Sequence, residues 1–336
     1  MFTFPQSRRK IMGKNLAAIF LATAAAAVSF SAFAQSSAYP SKPIRLIVPA
    51  APGGGTDILG RLVGQKLSEN FGQSVVIENR GGGGGVIAAE YVARMPPDGY
   101  TVLIADIRTF GLAPSLYKSL PYDPIRNFSP ITGGVDVTNV LVVNPSVPAK
   151  TIKEFLAYAK SKPGILNYSS SGKGSGAHMA GELFALKGGV DITHVAYRGG
   201  GPAVADLIAG HVQFSFATAP SVLPLIQAGK LMALGVTTLK RFPGLPDVPT
   251  ISEALLPGYE ASNWYSFVVP AHTPKEIVAR LNTEIRKVMA DPEVMKTLLA
   301  QGMEPTTSSP EELEAYIKSE ITKWAEVVKL RGIKPE

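Results

Sequence analysis

The chain has 336 residues, 46% hydrophobic and 18% charged, with 33 Lys plus Arg against 26 Asp plus Glu and no cysteine. That much apolar chain supports roughly two domains and excludes a disordered or fibrous protein, while the missing cysteine excludes disulfides, a thiol nucleophile, thiolate-held metal centres and a cysteine-borne lipid. Four basic residues, Arg8, Arg9, Lys10 and Lys14, lie in an acid-free stretch at residues 1–34, and the 29 others face 26 acids, a balance that makes no electrostatic case for nucleic acid.

In residues 1–34 the basic cluster precedes an apolar run, Leu16 to Val28, and then Ala32-Phe33-Ala34. This is the order of a secretory signal peptide with cleavage after Ala34; the run falls short of the ~20 residues a spanning helix needs. Ser7 to Met12 resembles a twin-arginine signal, so both export routes stay open. The mature chain, from about Gln35, is expected to be soluble outside the cytoplasm.

From Pro43 short β-branched runs alternate with helical stretches. Ile44 to Val48, Val75 to Glu78 and Thr101 to Ala105 read as strands, with apolar residues at helical spacing from Ile58 to Leu67 and from Val86 to Ala93 between them. A β-α-β-α-β order implies a mostly parallel sheet covered on both faces. A second set begins near Asn139, with strands at 141–143, 167–169, 193–196, 212–216 and 231–236 and helices at 152–161, 178–186, 202–209 and 222–228. A strand at 266–269 and helices at 274–290 and 310–330 complete the chain.

Ligands of open α/β sheets sit beyond the strand ends, where glycine turns expose amides at helix N-termini. Two turns fit: Ala51-Pro52-Gly53-Gly54-Gly55-Thr56-Asp57, and Ser169-Ser170-Ser171-Gly172-Lys173-Gly174-Ser175-Gly176-Ala177-His178. Their amides and hydroxyls suit a carboxylate or phosphate. Equally, the first is a plain strand-to-helix turn capped by Thr56 or Asp57. Asp106 and Arg108 follow the third strand and read either as a local charge pair or as a second anion contact, and Arg198, in Tyr197-Arg198-Gly199, poses the same choice.

Enzyme motifs fail. Gly172-Lys173 continues as Gly174, so there is no Walker loop, no dinucleotide fingerprint or Gly-x-Ser-x-Gly elbow occurs, and the four histidines lack metal-ligand spacing. His178 stands apart, because it directly follows the Ser/Gly loop and either contacts an anion or pins the loop.

Further strings carry a resemblance. Val48-Pro49-Ala50-Ala51-Pro52-Gly53-Gly54-Gly55-Thr56-Asp57, Gly72-Gln73-Ser74-Val75-Val76-Ile77-Glu78-Asn79-Arg80, Pro97-Asp98-Gly99-Tyr100-Thr101, Leu120-Pro121-Tyr122-Asp123-Pro124 and Leu245-Pro246-Asp247-Val248-Pro249-Thr250 occur in one order. In them the mature chain resembles the periplasmic solute-binding receptors of tripartite tricarboxylate transporters, the Bug family. The resemblance implies an α/β, two-lobe Venus-flytrap fold of two mostly parallel sheets flanked by helices, with residues 39–137 plus 261–336 as lobe 1 and 138–260 as lobe 2. It implies a monomer without cofactor or metal that closes on a small organic carboxylate and hands it transiently to integral membrane transporter subunits. Ligand-facing candidates are Ala51, Gly53, Gly54 and Thr56 in the first loop and Ser170, Gly174, Ser175 and His178 in the second. To these are added Asp106, Arg108, Tyr197, Arg198 and Thr218.

Three departures bear on ligand choice: Ala50-Ala51 where the family often has bulkier residues, Asp106 and Arg108 where it has small ones, and Phe216-Ala217-Thr218 without an acid or amide after the phenylalanine. The expectation is a dicarboxylate or aromatic carboxylate, with Arg108 as the second anion partner. A periplasmic sensor would carry the same site; a hydrolase using His178 with a nearby Ser or Asp57 is the enzyme alternative.

Overall fold

The computed structural model describes residues 39–335, so the signal peptide expected at 1–34 lies outside them. Among the described residues no helix is long and apolar enough to cross a membrane. The body that begins at Lys42 opens with β1 (Ile44–Val48), α1 (Gly55–Phe71), β2 (Val75–Asn79), α2 (Val86–Ala93) and β3 (Thr101–Asp106). A π-helical turn, Ile107–Leu112, runs into α3 (Ala113–Leu116) and then β4 (Phe128–Val137).

The next stretch comprises β5 (Asn139–Val143), α4 (Ile152–Ser161), β6 (Asn167–Ser170), α5 (Gly176–Gly188), β7 (Thr193–Ala196), α6 (Gly200–Ala209), β8 (Phe214–Thr218), α7 (Ala219–Gln227) and β9 (Met232–Val236). The chain ends with α8 (Ile251–Ala254), β10 (Asn263–Pro270), α9 (Lys275–Met289), α10 (Pro292–Ala300), β11 (Met303–Pro305) and α11 (Pro310–Leu330).

Two sheets result, ordered β11-β4-β10-β3-β1-β2 and β7-β6-β8-β5-β9, one in each lobe. The expectation of mostly parallel sheets is corrected, because both are mixed. β1 runs parallel to β2 and β3, but β10 is antiparallel to β3 and β4, and β5 is antiparallel to β8 and β9. The reason is the crossovers: β4 leads into β5 through Thr138 alone, and β10 returns from the second sheet to run against β3. Strands flanked by helices on both faces read as continuous apolar runs, and β5 and the buried interior of β3 do so.

Where the lobes meet, Asn139 Nδ2 donates to the Ala261 carbonyl at 3.2 Å and Asn263 Nδ2 donates to Asn139 Oδ1 at 3.2 Å. A third connection follows α11. This helix starts at a capping box between Ser309 and Glu312 and buries Trp324 against the first lobe. At its end the Arg331 guanidinium donates to Glu182 Oε2 on α5, in the second lobe, at 2.6 Å.

Candidate functional site

The first glycine turn is shaped by its neighbours. Gly53 sits at φ +89, and Gly54 is the N-cap of α1 without a side-chain cap, so neither Thr56 nor Asp57 plays the capping part expected of them. Asp57 instead reaches back from the first helical turn: its carboxylate accepts from Gly53 N (2.8 Å), Arg61 Nε (3.0 Å) and Asn79 Nδ2 (2.9 Å). Burial acts upward on this carboxyl, yet the bonds from Arg61, Gly53 and Asn79 prevail and hold it below its ordinary value. The side chain locks the loop, leaving the opening amides of α1, at Gly55 and Thr56, without partners inside the helix.

The second turn is pinned from behind. Ser175 caps α5 by accepting from His178 N (3.2 Å), and the Gly174 amide donates to His178 Nδ1 (3.2 Å), which leaves the ring hydrogen on Nε2, facing Glu182 Oε1 at 3.7 Å. His178 therefore takes the loop-pinning alternative. Its ring stacks on His194 with centroids 4.0 Å apart, and Ser170 Oγ lies 2.6 Å from His194 Nε2. Burial lowers both imidazoles, His194 to about 4. The Ser170–His194 contact looks like a nucleophile and base, but a base so weak near neutral pH, with no carboxylate among the described residues bonded to it, is poorly set for proton transfer.

A cleft of about 310 Å³ opens between the lobes. On its walls lie Gly55 and Thr56 of α1, Gly176 and Ala177 of α5, and Gly200 and Gly201 of α6, the opening residues of three helices. Helix N-termini carry partial positive charge and free amides, so three of them on one cavity make a site for an anion. Asn139, Asn263, Tyr265, Ser215 and Ser221 also line it. The candidates Gly54, Thr56, Asp106, Arg108, Ser170 and Thr218 are on these walls. Gly174, Ser175 and His178 line an adjoining chamber of about 410 Å³, together with Arg108, Lys173 and Lys334.

Ala51, Gly53, Tyr197 and Arg198 lie off the walls of both cavities. The Gly53 amide is spent on Asp57, the Tyr197 hydroxyl donates to Asp206 (2.6 Å), and Arg198 is exposed. Asp106 is the N-cap of the π-helical turn: its carboxylate accepts from Thr109 N (2.9 Å) and Oγ1 (2.7 Å), with burial acting upward on its pKa. It orders the backbone that carries Arg108 and makes no ion pair with it. Arg108 is exposed into both chambers. Among the described residues no group of three or more His, Asp or Glu is placed to hold a metal ion.

A family model described as tripartite tricarboxylate transporter family receptor matches residues 59–333. BugT of Bordetella pertussis is 36% identical over 317 residues, covering 94% of this chain and 96% of that one. Among solved structures, R. palustris Rpa4515 with adipate superposes with a TM-score of 0.77 at 39% identity, over 89% of this chain and all of that one. MatC of Rhodopseudomonas palustris with bound malate superposes with a TM-score of 0.73 at 32% identity, over 86% of this chain and all of that one.

Proposed function

Because the chain belongs to the tripartite tricarboxylate transporter receptor family, among its Bug-type members, we propose that it captures a small organic carboxylate in the periplasm and delivers it to the membrane subunits of a transporter. The observation that carries this reading is the convergence of three helix N-termini on one interlobe cleft. Neutral amide donors can hold a carboxylate tightly without the desolvation cost of a buried cation, and they let it go when the lobes part. The adipate and malate bound by two structural neighbours support a carboxylate.

The finer proposal is a diacid. The first carboxylate meets the amides of α1, α5 and α6, and the second points into the adjoining chamber, where Arg108, Lys173 and Lys334 make no ion pair among the described residues. Closure of residues 39–137 plus 261–336 on residues 138–260 then gives the transporter a liganded shape to recognise.

The test is thermal unfolding of residues 35–336 with mono-, di- and aromatic carboxylates. A ligand at 100 times its Kd stabilises by ~2.7 kcal/mol, several degrees for a chain of this size. A shift confined to diacids and lost in Arg108→Ala supports the proposal. No shift with any acid, and no acid released on denaturation, overturns the receptor reading; equal shifts with monoacids overturn only the diacid.

A further inference from the structure

A third cavity, of about 380 Å³, lies on the face of the first sheet turned toward α11. β10 runs between it and the interlobe cleft, and Tyr265 is the residue that lines both. Asp136 of β4 pairs in register with Trp264 of β10, and Ser266 lies two residues further along β10, so all three share the face on which Tyr316 of α11 packs edge-on against Trp264. The opening is bordered by Thr306, Thr307 and Ser308.

Two features of this cavity are unexplained by the fold. Ser266 is 1% exposed, yet its Oγ is the one buried side-chain polar atom among the described residues without a hydrogen-bond partner. A buried hydroxyl left in that state costs free energy that an alanine would not, which marks it as a contact awaiting a partner. The Asp136 carboxyl, beside it on the wall, accepts no hydrogen bond from a described residue.

Charge fixes the kind of partner. Asp136 and Glu312 are the charged residues on the wall, and no base lines it. Behind Asp136 stand Glu260, Glu304 and Glu320, against Lys323, whose ammonium is bound by Glu260 and Glu320. Burial, then those three glutamates, push the Asp136 carboxyl up to about 7. A cation at the carboxylate, against the partly exposed Tyr316 ring, would relieve this excess and gain attraction to the ring.

We infer that this cavity is a second ligand site, separate from the carboxylate cleft, that takes a small primary amine with an apolar or aromatic body. The ammonium donates to Asp136 and Ser266, and the body lies against the Tyr316 ring and Thr306 to Ser308 at the cavity wall.

Isothermal titration with benzylamine at about pH 8, where Asp136 is ionised and the amine still largely protonated, tests this, with benzyl alcohol as the uncharged probe of the same shape. Saturable benzylamine binding, at least about tenfold tighter than benzyl alcohol and weakened about tenfold or more by Asp136→Asn, supports the site. Ser266→Ala should weaken it several-fold as well, which keeps the test open if the first variant does not fold. Equal binding of amine and alcohol, full affinity in either variant, or no saturable binding would each overturn it.

Discussion

The ion pair between Arg331 and Glu182 ties the end of α11 to α5, and its strength can be worked out. Arg331 Nε and Glu182 Oε2 are 2.6 Å apart, with side-chain exposures of 27% and 9%. Glu182 also accepts from the Tyr168 hydroxyl at 2.8 Å, a bond that glutamine can retain. Hydrogen bonds to charged groups contribute ~1.5–3 kcal/mol, and the partly solvated guanidinium places this one at the lower end, about 1.5 kcal/mol. Glu182→Gln is therefore expected to cost about 2 kcal/mol, and Arg331→Gln about 1.5. The double variant should cost little more than the first alone, leaving a coupling energy of about 1.5 kcal/mol. Urea unfolding of the four proteins, followed by fluorescence of Trp264 and Trp324, measures each term. If the two single costs add to within ~0.5 kcal/mol, the two side chains do not interact and the tie is not there.

Three further outcomes are expected. A Cβ on Gly176 would lie 1.7 Å from Asn263 Oδ1, so Gly176→Ala must displace Asn263 from Asn139; carboxylate affinity should fall at least about tenfold, with a stability loss of ~1–3 kcal/mol, read by titration and by unfolding. Burial holds the His194 pKa at about 4, below its unfolded value, so its contribution is complete above about pH 6.5 and is lost as pH falls toward 4. Replacement by Gln should flatten the loss of stability over that window, and an unchanged slope would refute the assignment. Asp136 acts in the opposite sense: its carboxyl is raised to about 7, so stability present below pH ~4 is lost as pH rises through 7. Asp136→Asn should match the parent at low pH and exceed it above pH 7. Because the two windows overlap with opposite slopes, each effect is read as variant minus parent.

Local pattern carried much of this fold. The helices at 86–93, 152–161 and 310–330 fall where apolar spacing predicts them. The ten-residue strand β4 escaped, because Phe-Ser-Pro-Ile-Thr-Gly-Gly-Val-Asp-Val contains a proline and two glycines that argue against a strand. Tertiary contact explains them: a Cβ on Gly133 would meet the Thr306 carbonyl at 2.1 Å, and one on Gly134 the Tyr265 carbonyl at 2.9 Å. Helix α10 was also missed, although Asp291-Pro292-Glu293 announces its start, with Asp291 accepting from Glu293 N and Val294 N. In the cleft, the glycine turns were legible because their composition is local. Asn139, Asn263 and Tyr265 were not, since the walls they form depend on β5 and β10 meeting across more than a hundred residues of chain. Asp106 had a readable signal, the Asp-x-x-Thr spacing of a capping box, which assigns its carboxylate to the backbone.

The placement of β10 inside the first sheet has a consequence for how the chain acquires its structure. The second sheet draws all its strands from the continuous stretch Asn139 to Val236, so that lobe can complete itself from local pairings. The first cannot: its middle position, between β3 and β4, stays empty until Asn263 to Pro270 are available. Until then the edges of β3 and β4 present unpaired amides and carbonyls, the surfaces on which misassociation begins and which a chaperone would shield. The lobe drawn from the middle of the chain can thus complete before the one that flanks it in sequence, for which joining Asp106 to Tyr265 is a pairing of high sequence separation.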